Sequence, residues 1–600
     1  MLNYSDKQKE LTLRSILLGI ILSIILSAAN TYLGLFAGMT VSASIPAAIV
    51  SMTILRFFKN STIHENNLVQ TSASAGESLA AGVIFTFPAL VLIGYWTNFN
   101  YYEVTKIALV GGILGALFTI PLRKTLIVNQ KLKFPEGVAT SKILKSSNDI
   151  NLSKIILQSS CIGAITKFSQ SAVNLWNSSL NYFFQIKNSI FGFSIDLSPA
   201  LIGVGYIIGL NISILVFTGG IISWLIAIPI YSAFNPSNGD ITNYAWMIWD
   251  SKIRFLGVGA MLTGGFWSII KIIKPIINGI SNSIYNKDSQ SKDIPLKYIL
   301  LLFSIIIIPI YSVYNQILTN IPISIIITIL IIVIAFTFSS IAGYMSGIVG
   351  SSNNPVSGLT IATILLSALF IKYLGFLSYT GMVSSVLFGS IICCSAAIAG
   401  DNMQDLKTGH IINSTPWMQQ TMQIIGTVSS ALVITLILNI LHSAYGIGSE
   451  SLPAPQANLM KVVVEGVFNE NLPWLWIYAG MFIGIIVICL DLIQEQKKSS
   501  FRLPVLALAV GIYLPIGLSS TIFIGGLISS YTNKNKENGI LFSSGLITGE
   551  AIMGILIAIP IFITSNLNWW KINFITPVNI LGFIAFTFII YSLYKSTKKK

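Results

Sequence analysis

Charged side chains are scarce in this chain of 600 residues, of which only 9% are Asp, Glu, Lys or Arg. An average soluble domain has roughly 25% charged residues, because polar groups must cover its surface. Hydrophobic residues make up 54% of the chain and occur in long runs such as 13–29, 321–339 and 574–594. Runs of about 18 or more apolar residues are typical of membrane-spanning helices. The composition therefore argues against a soluble protein and predicts one that crosses a lipid bilayer many times.

Cysteine and histidine are also rare. The four cysteines are Cys161, Cys393, Cys394 and Cys489, and the three histidines are His64, His410 and His442. The cysteines lie in or beside apolar runs, without the spacing and polar companions of a disulfide framework or a zinc site. We interpret them as small buried hydrophobic residues. We expect no bound metal ion and no cofactor.

Signatures of enzymes and of ATP-driven pumps are missing. The sequence contains no GxxxxGK[ST] phosphate loop, no HExxH zinc motif and no GxSxG nucleophile motif. No other grouping of side chains indicates a catalytic centre. We therefore predict that the protein is not an enzyme and does not hydrolyse ATP.

Basic residues outnumber acidic ones by 35 to 21, which gives a formal net charge of +14. Nucleic-acid binding is one explanation, but these residues cluster in a few polar segments. The main clusters lie at 123–145, 271–297, 497–502 and 595–600. The positive-inside rule places such segments on the cytoplasmic side. We therefore predict a multi-pass protein of the cytoplasmic (inner) membrane, with both termini in the cytoplasm and no nucleic-acid partner.

The apolar runs also predict the fold class. Taken as helices, they give an all-α polytopic membrane protein with about sixteen transmembrane helices, some of them broken or re-entrant. The polar loops are short, so residues 1–600 are expected to form one membrane domain. Weak similarity between polar segments of the two halves suggests a two-fold internal repeat, at approximately 1–296 and 297–600.

Several polar segments fall outside the helices of this scheme. Residues 134–153 and 444–472 are predicted to be long loops. A helix is predicted over 78–97 and another over 377–399. The polar segment GDNMQDLKTGH (400–410) would then follow the second of these helices. We expect it to lie on the cytoplasmic side, at the inner end of a transport path.

Gly, Pro and Asn interrupt three apolar stretches. These are Asn30–Gly38, Gly343–Gly358 and 503–530, and the last contains Pro515 and is predicted to be a broken helix or a short hairpin pair. A break leaves backbone groups without helical partners, which in hydrocarbon costs several kcal/mol each unless protein or water satisfies them. Breaks at membrane depth therefore often mark substrate or ion sites, where half-helix ends bind charge. An ordinary turn at the bilayer surface is the alternative.

Three charged residues lie within apolar surroundings. Glu77 lies in SASAGESLAAG, Glu550 lies in TGEAIMG, and Lys167 lies in GAITKFSQ. A carboxylate inside a membrane helix costs at least about 2.5–3.5 kcal/mol on insertion scales, so it usually faces a cavity and serves a function. Such a carboxylate is suited to load and release a proton. The alternative is placement near a helix end, with the charge extending to water.

Six segments in the same order resemble a known family of transporters. They are NTYLGLFAGMTVSASIPAAIVSM (30–52), ENNLVQTSASAGESLAAGVIF (65–85), KFPEGVATSKIL (133–144), SSNNPVSGLTIAT (351–363), GDNMQDLKTGHIINSTPWMQQ (400–420) and PAPQANLMKVVVEG (453–466). Together they resemble the oligopeptide transporter (OPT) family in its bacterial branch, which is related to the yellow-stripe-like transporters of metal chelates.

The resemblance implies a secondary-active importer with about sixteen transmembrane helices, driven by proton symport. The substrates it implies are small peptides or, in the yellow-stripe-like branch, metal complexes of nicotianamine or phytosiderophores. The sequence has Glu136 in its FPEG segment, where the metal-chelate branch tends to have a small residue, and this favours peptides. A channel is a further alternative that fits less well. We expect the protein to be embedded in a lipid bilayer. Both a monomer and a homo-oligomer are compatible with the sequence.

These considerations give two groups of candidate site residues. The candidates for proton coupling are Glu77, Glu136, Glu550 and Asp401. The candidates for substrate binding are Asn30, Gln70, Asn353, Asn354, Asn402, Gln404, Asp405 and Lys407. A peptide carries an ammonium, a carboxylate and main-chain amides, so a site for it needs groups of both charges together with amide side chains. Glu77 is the first candidate for the coupled proton.

Overall fold

A computed structural model shows a bundle of helices with one small β-hairpin. It describes residues 10–38, 40, 42–129, 132, 134–145, 150–236, 239–264, 266–267, 270, 293–351, 354, 356–376, 379–449, 451–469, 473–499, 501–532, 536–564, 566 and 577–598. Of the candidate site residues, Asn353 lies outside these ranges.

The described elements before residue 270 are ten helices and two strands. They are α1 (Leu13–Ala37), α2 (Ser44–Leu55), α3 (Ile63–Leu92), α4 (Tyr101–Arg123), α5 (Pro135–Lys145), α6 (Ile150–Lys167), β1 (Ser179–Ile186), β2 (Ser189–Asp196), α7 (Pro199–Ile221), α8 (Ile228–Phe234), α9 (Ile241–Ile248) and α10 (254–264). Short π-helical turns extend four of these helices, at Lys124–Asn129, Phe168–Ala172, Ile222–Ala227 and Trp249–Ile253.

The described elements after residue 290 are all helices. They are α11 (Leu296–Leu318), α12 (Ile321–Val349), α13 (Val356–Tyr373), α14 (Tyr379–Ile412), α15 (Pro416–Tyr445), α16 (Pro455–Phe468), α17 (Trp474–Gln496), α18 (Val505–Tyr513), α19 (Ile516–Tyr531), α20 (Lys536–Thr564) and α21 (Asn579–Lys598).

Within the described ranges, twelve helices are long and apolar enough to cross a membrane. This confirms a polytopic, predominantly helical membrane protein, whereas the sequence predicted about sixteen crossings. Much of the difference comes from apolar segments shorter than a full span, such as Ser44–Leu55 and Ile516–Tyr531. The antiparallel hairpin of β1 and β2, with Ser179 opposite Asp196, is an element that the all-α prediction did not contain.

α3 and α14 lie at the centre of the bundle. Their most apolar segments are 89% and 100% buried, compared with 17% for α11 and 28% for α17 and α21. The outer helices instead expose Ile, Leu and Phe side chains such as Ile308, Phe482 and Phe583. A helix that is apolar on its outer face is suited to contact lipid. The two central helices are therefore shielded by protein along their length.

α1, α2 and α3 form a folded-back motif. α1 and α3 run parallel, because Arg14 pairs with Glu65 near their starts and Gly34 lies against Ile84 farther along. α2 begins at the level of the middle of α3 and returns to the level of its start. Gly38 ends α1 in the left-handed conformation, with φ of 71°, which glycine adopts without steric cost.

α12, α13 and α14 repeat this arrangement. α12 and α14 run parallel, since the hydroxyls of Ser339 and Ser395 are hydrogen bonded and Ser346 donates to the carbonyl of Gly400. α13 begins beside the middle of α14 and runs back towards its start. The short helix therefore again follows a break between two long parallel helices.

The two motifs are packed in opposite directions. α3 and α14 are antiparallel, because Gln70 bonds to Asp405 while Gly82 lies against Cys394. α5 begins at the α12–α13 break, and α16 begins at the α1–α2 break, where the Gln456 amide donates to the Gly38 carbonyl. We call residues 13–145 the first unit and residues 321–468 the second unit.

Several boundaries predicted from the sequence are wrong. The segment 400–410 is not a loop but the last part of α14, and residues 64–76 belong to α3. The segments 134–153 and 444–472 contain helices α5 and α16. These polar stretches are helical because their side chains find hydrogen-bond partners on neighbouring helices, which removes the need for water.

The predicted breaks have mixed outcomes. The break within Gly343–Gly358 is confirmed, between Val349 and Val356. The stretch 503–530 is also broken, at Leu514 and Pro515. The break expected from Asn30 onward is wrong in position, because α1 continues to Ala37 before it ends.

Candidate functional site

Glu77 lies midway along α3, beside the break that separates α1 from α2. Its side chain is only 2% exposed. The Asn30 amide donates a hydrogen bond to one carboxylate oxygen, and the backbone N–H of Ala43 donates to the other at 3.2 Å. Ala43 immediately precedes α2, so the carboxylate faces a helix N-terminus, where partial positive charge favours an anion. A buried carboxylate is thereby held at membrane depth by two polar partners.

Asp405 lies next to this group on the facing helix α14 and is fully buried. Its Oδ1 atom accepts hydrogen bonds from the Gln70 amide and from the Ser44 hydroxyl, the latter at 3.1 Å. The Ser44 hydroxyl also lies 3.0 Å from that of Ser74. Residues from α2, α3 and α14 therefore converge on one carboxylate.

Gln404 links α14 to two other helices. Its Oε1 atom accepts a hydrogen bond from the Gly137 N–H at 2.9 Å, and its Nε2 atom donates to the Ser346 carbonyl at 2.7 Å. Gly137 lies in the first turn of α5, and Ser346 lies in the last turn of α12. This amide is fully engaged, so it positions the helices around the site rather than offering a free binding group.

Glu136 lies at the start of α5, at the α12–α13 break. Its Oε2 atom accepts a hydrogen bond from the Ser351 hydroxyl at 2.6 Å. Electrostatic interaction connects Glu77 with Asp401, Asp405 and Glu136. Four carboxylates from three helices therefore act on one another, and a cationic group or a proton bound among them would be stabilised.

Several buried polar atoms of this cluster have no hydrogen-bond partner among the described residues. These atoms are both side-chain atoms of Asn402, Oδ2 of Asp405, Oε1 of Gln70 and Oε1 of Gln423. Each such atom costs roughly 1–3 kcal/mol when it is left unsatisfied in the interior. Most buried polar groups in folded proteins are paired, so a concentration of unpaired ones indicates a place where a polar ligand or water binds.

A narrow cavity of about 20 Å³ borders Glu77. It is lined by Leu26, Ala29, Asn30, Ser42, Ala43, Pro46, Glu77, Ser544, Ile547 and Thr548. This volume is close to that needed for a single water molecule. The site is therefore closed on this side by α20, and a larger solute would reach it only after helices move apart.

The remaining candidates are placed as follows. Asn354 follows α12 and donates to the Ala342 carbonyl at 3.2 Å. Asp401 and Lys407 are partly exposed on α14, and Lys407 follows Asp405 by two residues, which turns its side chain to a different face of the helix. Glu550 belongs to a separate buried group, around the start of α7.

Sequence reasoning missed some members of the cluster. Ser44 and Ser74 are two of many serines in the sequence, and Gln419 and Gln423 of α15 lie beyond the polar segment GDNMQDLKTGH (400–410). The Gln419 amide donates to the Asp405 carbonyl at 2.9 Å, and Gln423 donates to that of Asn402 at 3.1 Å. The spacing of these two glutamines could have indicated their role. Residues four apart lie on the same face of a helix, so both amides point in one direction.

Potential metal ligands are dispersed in the part of the chain that the structure describes. No three His, Cys, Asp or Glu side chains lie close enough together there to hold a metal ion. The carboxylates of Glu77, Asp401, Asp405 and Glu136 lie among amides and hydroxyls instead. The arrangement is suited to bind protons, ammonium groups and amides.

Comparison with known proteins gives a consistent result. Residues 10–561 match the family described as OPT oligopeptide transporter protein. The chain is 34% identical to the "Putative oligopeptide transporter" of Haemophilus influenzae, over 86% of this chain and 90% of that protein. It is 25% identical to a Saccharomyces cerevisiae protein of the same description, over 91% and 95% of the two chains. It is also 26% identical to a metal-nicotianamine transporter of Arabidopsis thaliana, over 85% of each.

Proposed function

Because the chain belongs to the OPT oligopeptide transporter family, we propose that it imports small oligopeptides across the cytoplasmic membrane, driven by inward proton movement. The observation that supports this most directly is the buried polar cluster around Glu77 and Asp405, which lies where two broken helix pairs meet. Clusters of this kind at membrane depth usually mark the path of a solute or an ion. Transport, rather than catalysis, is the activity that its chemistry fits.

The cluster is complementary to the backbone of a peptide. The carboxylates of Asp405 and Asp401 would hold the ammonium end, because opposite charges attract strongly where water is excluded. The amides of Asn402, Gln70 and Gln423 would pair with peptide N–H and C=O groups, which are the same in every peptide. Recognition of the main chain in this way would leave side chains of different size acceptable.

Glu77 would carry the coupled proton. Its carboxylate is deeply buried and close to three other acidic groups, so protonation would relieve both desolvation and repulsion. A proton bound from the outer side would neutralise Glu77, lower the negative charge of the cluster by one and allow the helices to close around the substrate. Release of that proton to the cytoplasm would restore the charge and favour the return of the empty protein.

The inverted packing of the first and second units supports alternating access. Units with the same fold and opposite direction exchange their conformations when a transporter turns from one side to the other. The predicted repeat of 1–296 and 297–600 remains a prediction, and we infer that its core is 13–145 and 321–468. We also retain about sixteen crossings and cytoplasmic termini as proposals, since α2 with its connector, and α18 with α19, would add crossings to the twelve long helices.

Metal chelates are a second candidate substrate class. The similarity to a metal-nicotianamine transporter extends over most of both chains. A chelate arrives with its metal already coordinated, so the protein would need no metal ligands of its own. The prevalence of carboxylates over cations at the site favours a substrate with an exposed ammonium group, which peptides share with amino-acid-derived chelators.

Reconstituted protein is expected to accumulate labelled trialanine above equilibrium when an inward proton gradient is imposed. Uptake into proteoliposomes would be compared with and without the gradient, and with iron–nicotianamine in place of the peptide. Accumulation of the peptide supports the proposal because only coupling to the gradient can drive it uphill.

Two other outcomes would contradict this proposal. Accumulation of iron–nicotianamine alone would identify the chelate as the substrate class. Peptide flux that never exceeds equilibrium, with or without the gradient, would indicate a channel. Liposomes without protein provide the baseline for both.

Replacing Asn402 with Ala is expected to raise the KM for peptide about tenfold, which corresponds to about 1.4 kcal/mol. The side chain has no partner among the described residues, so its removal costs little stability, whereas a bound peptide would lose its hydrogen bonds. KM would be measured in initial-rate uptake. Asn211→Ala, at an exposed position on α7, is the matched control. An unchanged KM for Asn402→Ala would remove this residue from the substrate site.

A further inference from the structure

A second buried charged group lies apart from the Glu77 cluster. Glu550 of α20 is only 1% exposed. Its Oε2 atom accepts hydrogen bonds from the backbone N–H of Ala200 at 2.7 Å and from the Ser198 hydroxyl at 2.9 Å. Ser198 caps the start of α7, so the carboxylate faces the N-terminal end of that helix.

Asp196 lies two residues before this cap, at the end of the β-hairpin. Its carboxylate contacts the first turn of α19, since a Cβ added at Gly517 would be 2.6 Å from Oδ1 of Asp196. Burial and the nearby Glu550 raise the pKa of Asp196 to about 7, although Lys167 opposes the shift. Two carboxylates therefore lie at two neighbouring helix starts.

Lys167 supplies one positive charge to both carboxylates. The residue is 9% exposed, and its Nζ atom lies 5.5 Å from the centre of the Tyr32 ring. It interacts electrostatically with Glu550 and Asp196. No hydrogen bond or ion pair joins its ammonium to another described side chain, so a buried cation faces the group with only the Tyr32 ring as a direct contact.

The charges of this group do not balance. One ammonium faces two carboxylates, and the other titratable groups that face them are the phenols of Tyr32 and Tyr445. An unbalanced negative charge is costly where water is excluded, and binding of one proton removes it. A proton is also the cation that needs no additional ligands or space.

The group lies at a definite place relative to the Glu77 cluster. Tyr32 follows Asn30 on α1, and Glu550 follows Thr548 on α20, so the same two helices border both groups. The rise along a helix is about 1.5 Å per residue, so two residues separate the groups by about 3 Å, roughly half a turn, along each helix. The second group is on the side of the hairpin, away from the paired starts of α1 and α3.

We propose that Glu550, Asp196 and Lys167 form a second proton-binding site, through which protons enter from the hairpin side before Glu77 is loaded. This inference rests on the proton coupling of the proposed function. A proton from water converts one carboxylate to a carboxylic acid, which leaves Lys167 balanced by the other. The second site releases this proton when Glu77 takes one up. The total charge of the two groups is therefore conserved.

Infrared difference spectra of the substrate-free, reconstituted protein would test the site directly. Between about pH 5 and about pH 9, a carboxylic-acid band that titrates near neutral pH is expected, well above the usual range of Asp and Glu. We expect Glu550→Gln and Asp196→Asn each to remove or strongly shift this band. Glu537→Gln, at an exposed position on the same helix α20, is the matched control and should leave it unchanged.

Transport measurements separate this site from the proposed function. In proteoliposomes, Glu550→Gln is expected to reduce gradient-driven accumulation of trialanine at least tenfold and to preserve peptide exchange. Glu550→Asp, which keeps a titratable group, should retain a band at a shifted midpoint and so distinguishes loss of the site from loss of the fold. A neutral-range band that persists unchanged in both Glu550→Gln and Asp196→Asn would overturn the inference. A different outcome is that the unmodified protein shows the band but takes up peptide at the same rate with and without a proton gradient. That outcome would contradict proton coupling and would still support proton binding at this site.

Discussion

Glu77→Gln is expected to abolish accumulation of peptide against a gradient while peptide exchange across the membrane continues. Glutamine has nearly the same shape as glutamic acid but does not take up a proton. Substrate would still bind and the helices would still move, so labelled peptide would equilibrate with unlabelled peptide inside. Accumulation would fall at least tenfold, to the level reached without a proton gradient.

The structure indicates why this substitution leaves the fold largely intact. The glutamine oxygen can still accept the hydrogen bond from Asn30, and the contact with the Ala43 N–H is the one that is lost. That loss costs on the order of 1–3 kcal/mol. Counterflow of labelled trialanine into preloaded proteoliposomes would be measured beside gradient-driven uptake. Normal accumulation by Glu77→Gln would show that another group carries the proton.

Glu537→Gln is the control for this experiment as well, because it removes a carboxylate at the exposed start of α20. Its accumulation is expected to match that of the unmodified protein. If both variants lose accumulation equally, the effect is not specific to the buried site.

Gly82→Val is expected to prevent formation of the folded protein. Gly82 lies where α3 crosses α14, and an added Cβ would be 2.5 Å from the Cα atom and 2.8 Å from the nitrogen of Cys394. Both atoms belong to the backbone, so no side-chain rotation relieves the overlap. The two most deeply buried helices would have to separate, which would open the interface that aligns Gln70 with Asp405.

The measurement is the yield of monodisperse protein in detergent and its melting temperature. Gly239→Val is the matched control, since an added Cβ there meets no atom within 4 Å. We expect the control to purify normally and Gly82→Val to aggregate or to melt at a much lower temperature. A stable, monodisperse Gly82→Val protein would contradict the close approach of α3 and α14.

Glu77 and the break after Val349 illustrate what the sequence alone could predict. A carboxylate among small apolar residues has few stable positions in a membrane protein, so its burial follows from elementary energetics. Gly, Ser, Asn and Pro together cannot continue a helix smoothly, so the break after Val349 could also be predicted from the sequence. Both inferences depend only on local composition.

The helical conformation of residues 400–410 shows where local reasoning fails. A run of Asp, Asn, Gln and Lys reads as a loop because in isolation it would require water. In the folded protein, Gln404 and Oδ1 of Asp405 form hydrogen bonds with α2, α3, α5 and α12, whose positions in the sequence are remote. The conformation of the segment is decided by these distant partners.

Asn30 is a similar case. An asparagine in an apolar run suggests an interruption, since its side chain competes for backbone hydrogen bonds. Its amide bonds to Glu77 instead, and α1 continues for two further turns until Gly38 allows it to end. The predicted secondary structure at this residue was therefore wrong, while its role in substrate binding stays a prediction.

The opposed directions of the two units have a consequence for biosynthesis. Helices α5 and α16 occupy corresponding places in the two units and run in opposite directions, so we expect the charges at their ends to differ. α5 ends with Lys142 and Lys145, whereas α16 carries Glu465 near its end. Translocation machinery retains basic flanks on the side of synthesis. The different charges at the ends of α5 and α16 fit their opposite directions, and exchanging these flanks is expected to misorient the nascent chain before any packing takes place.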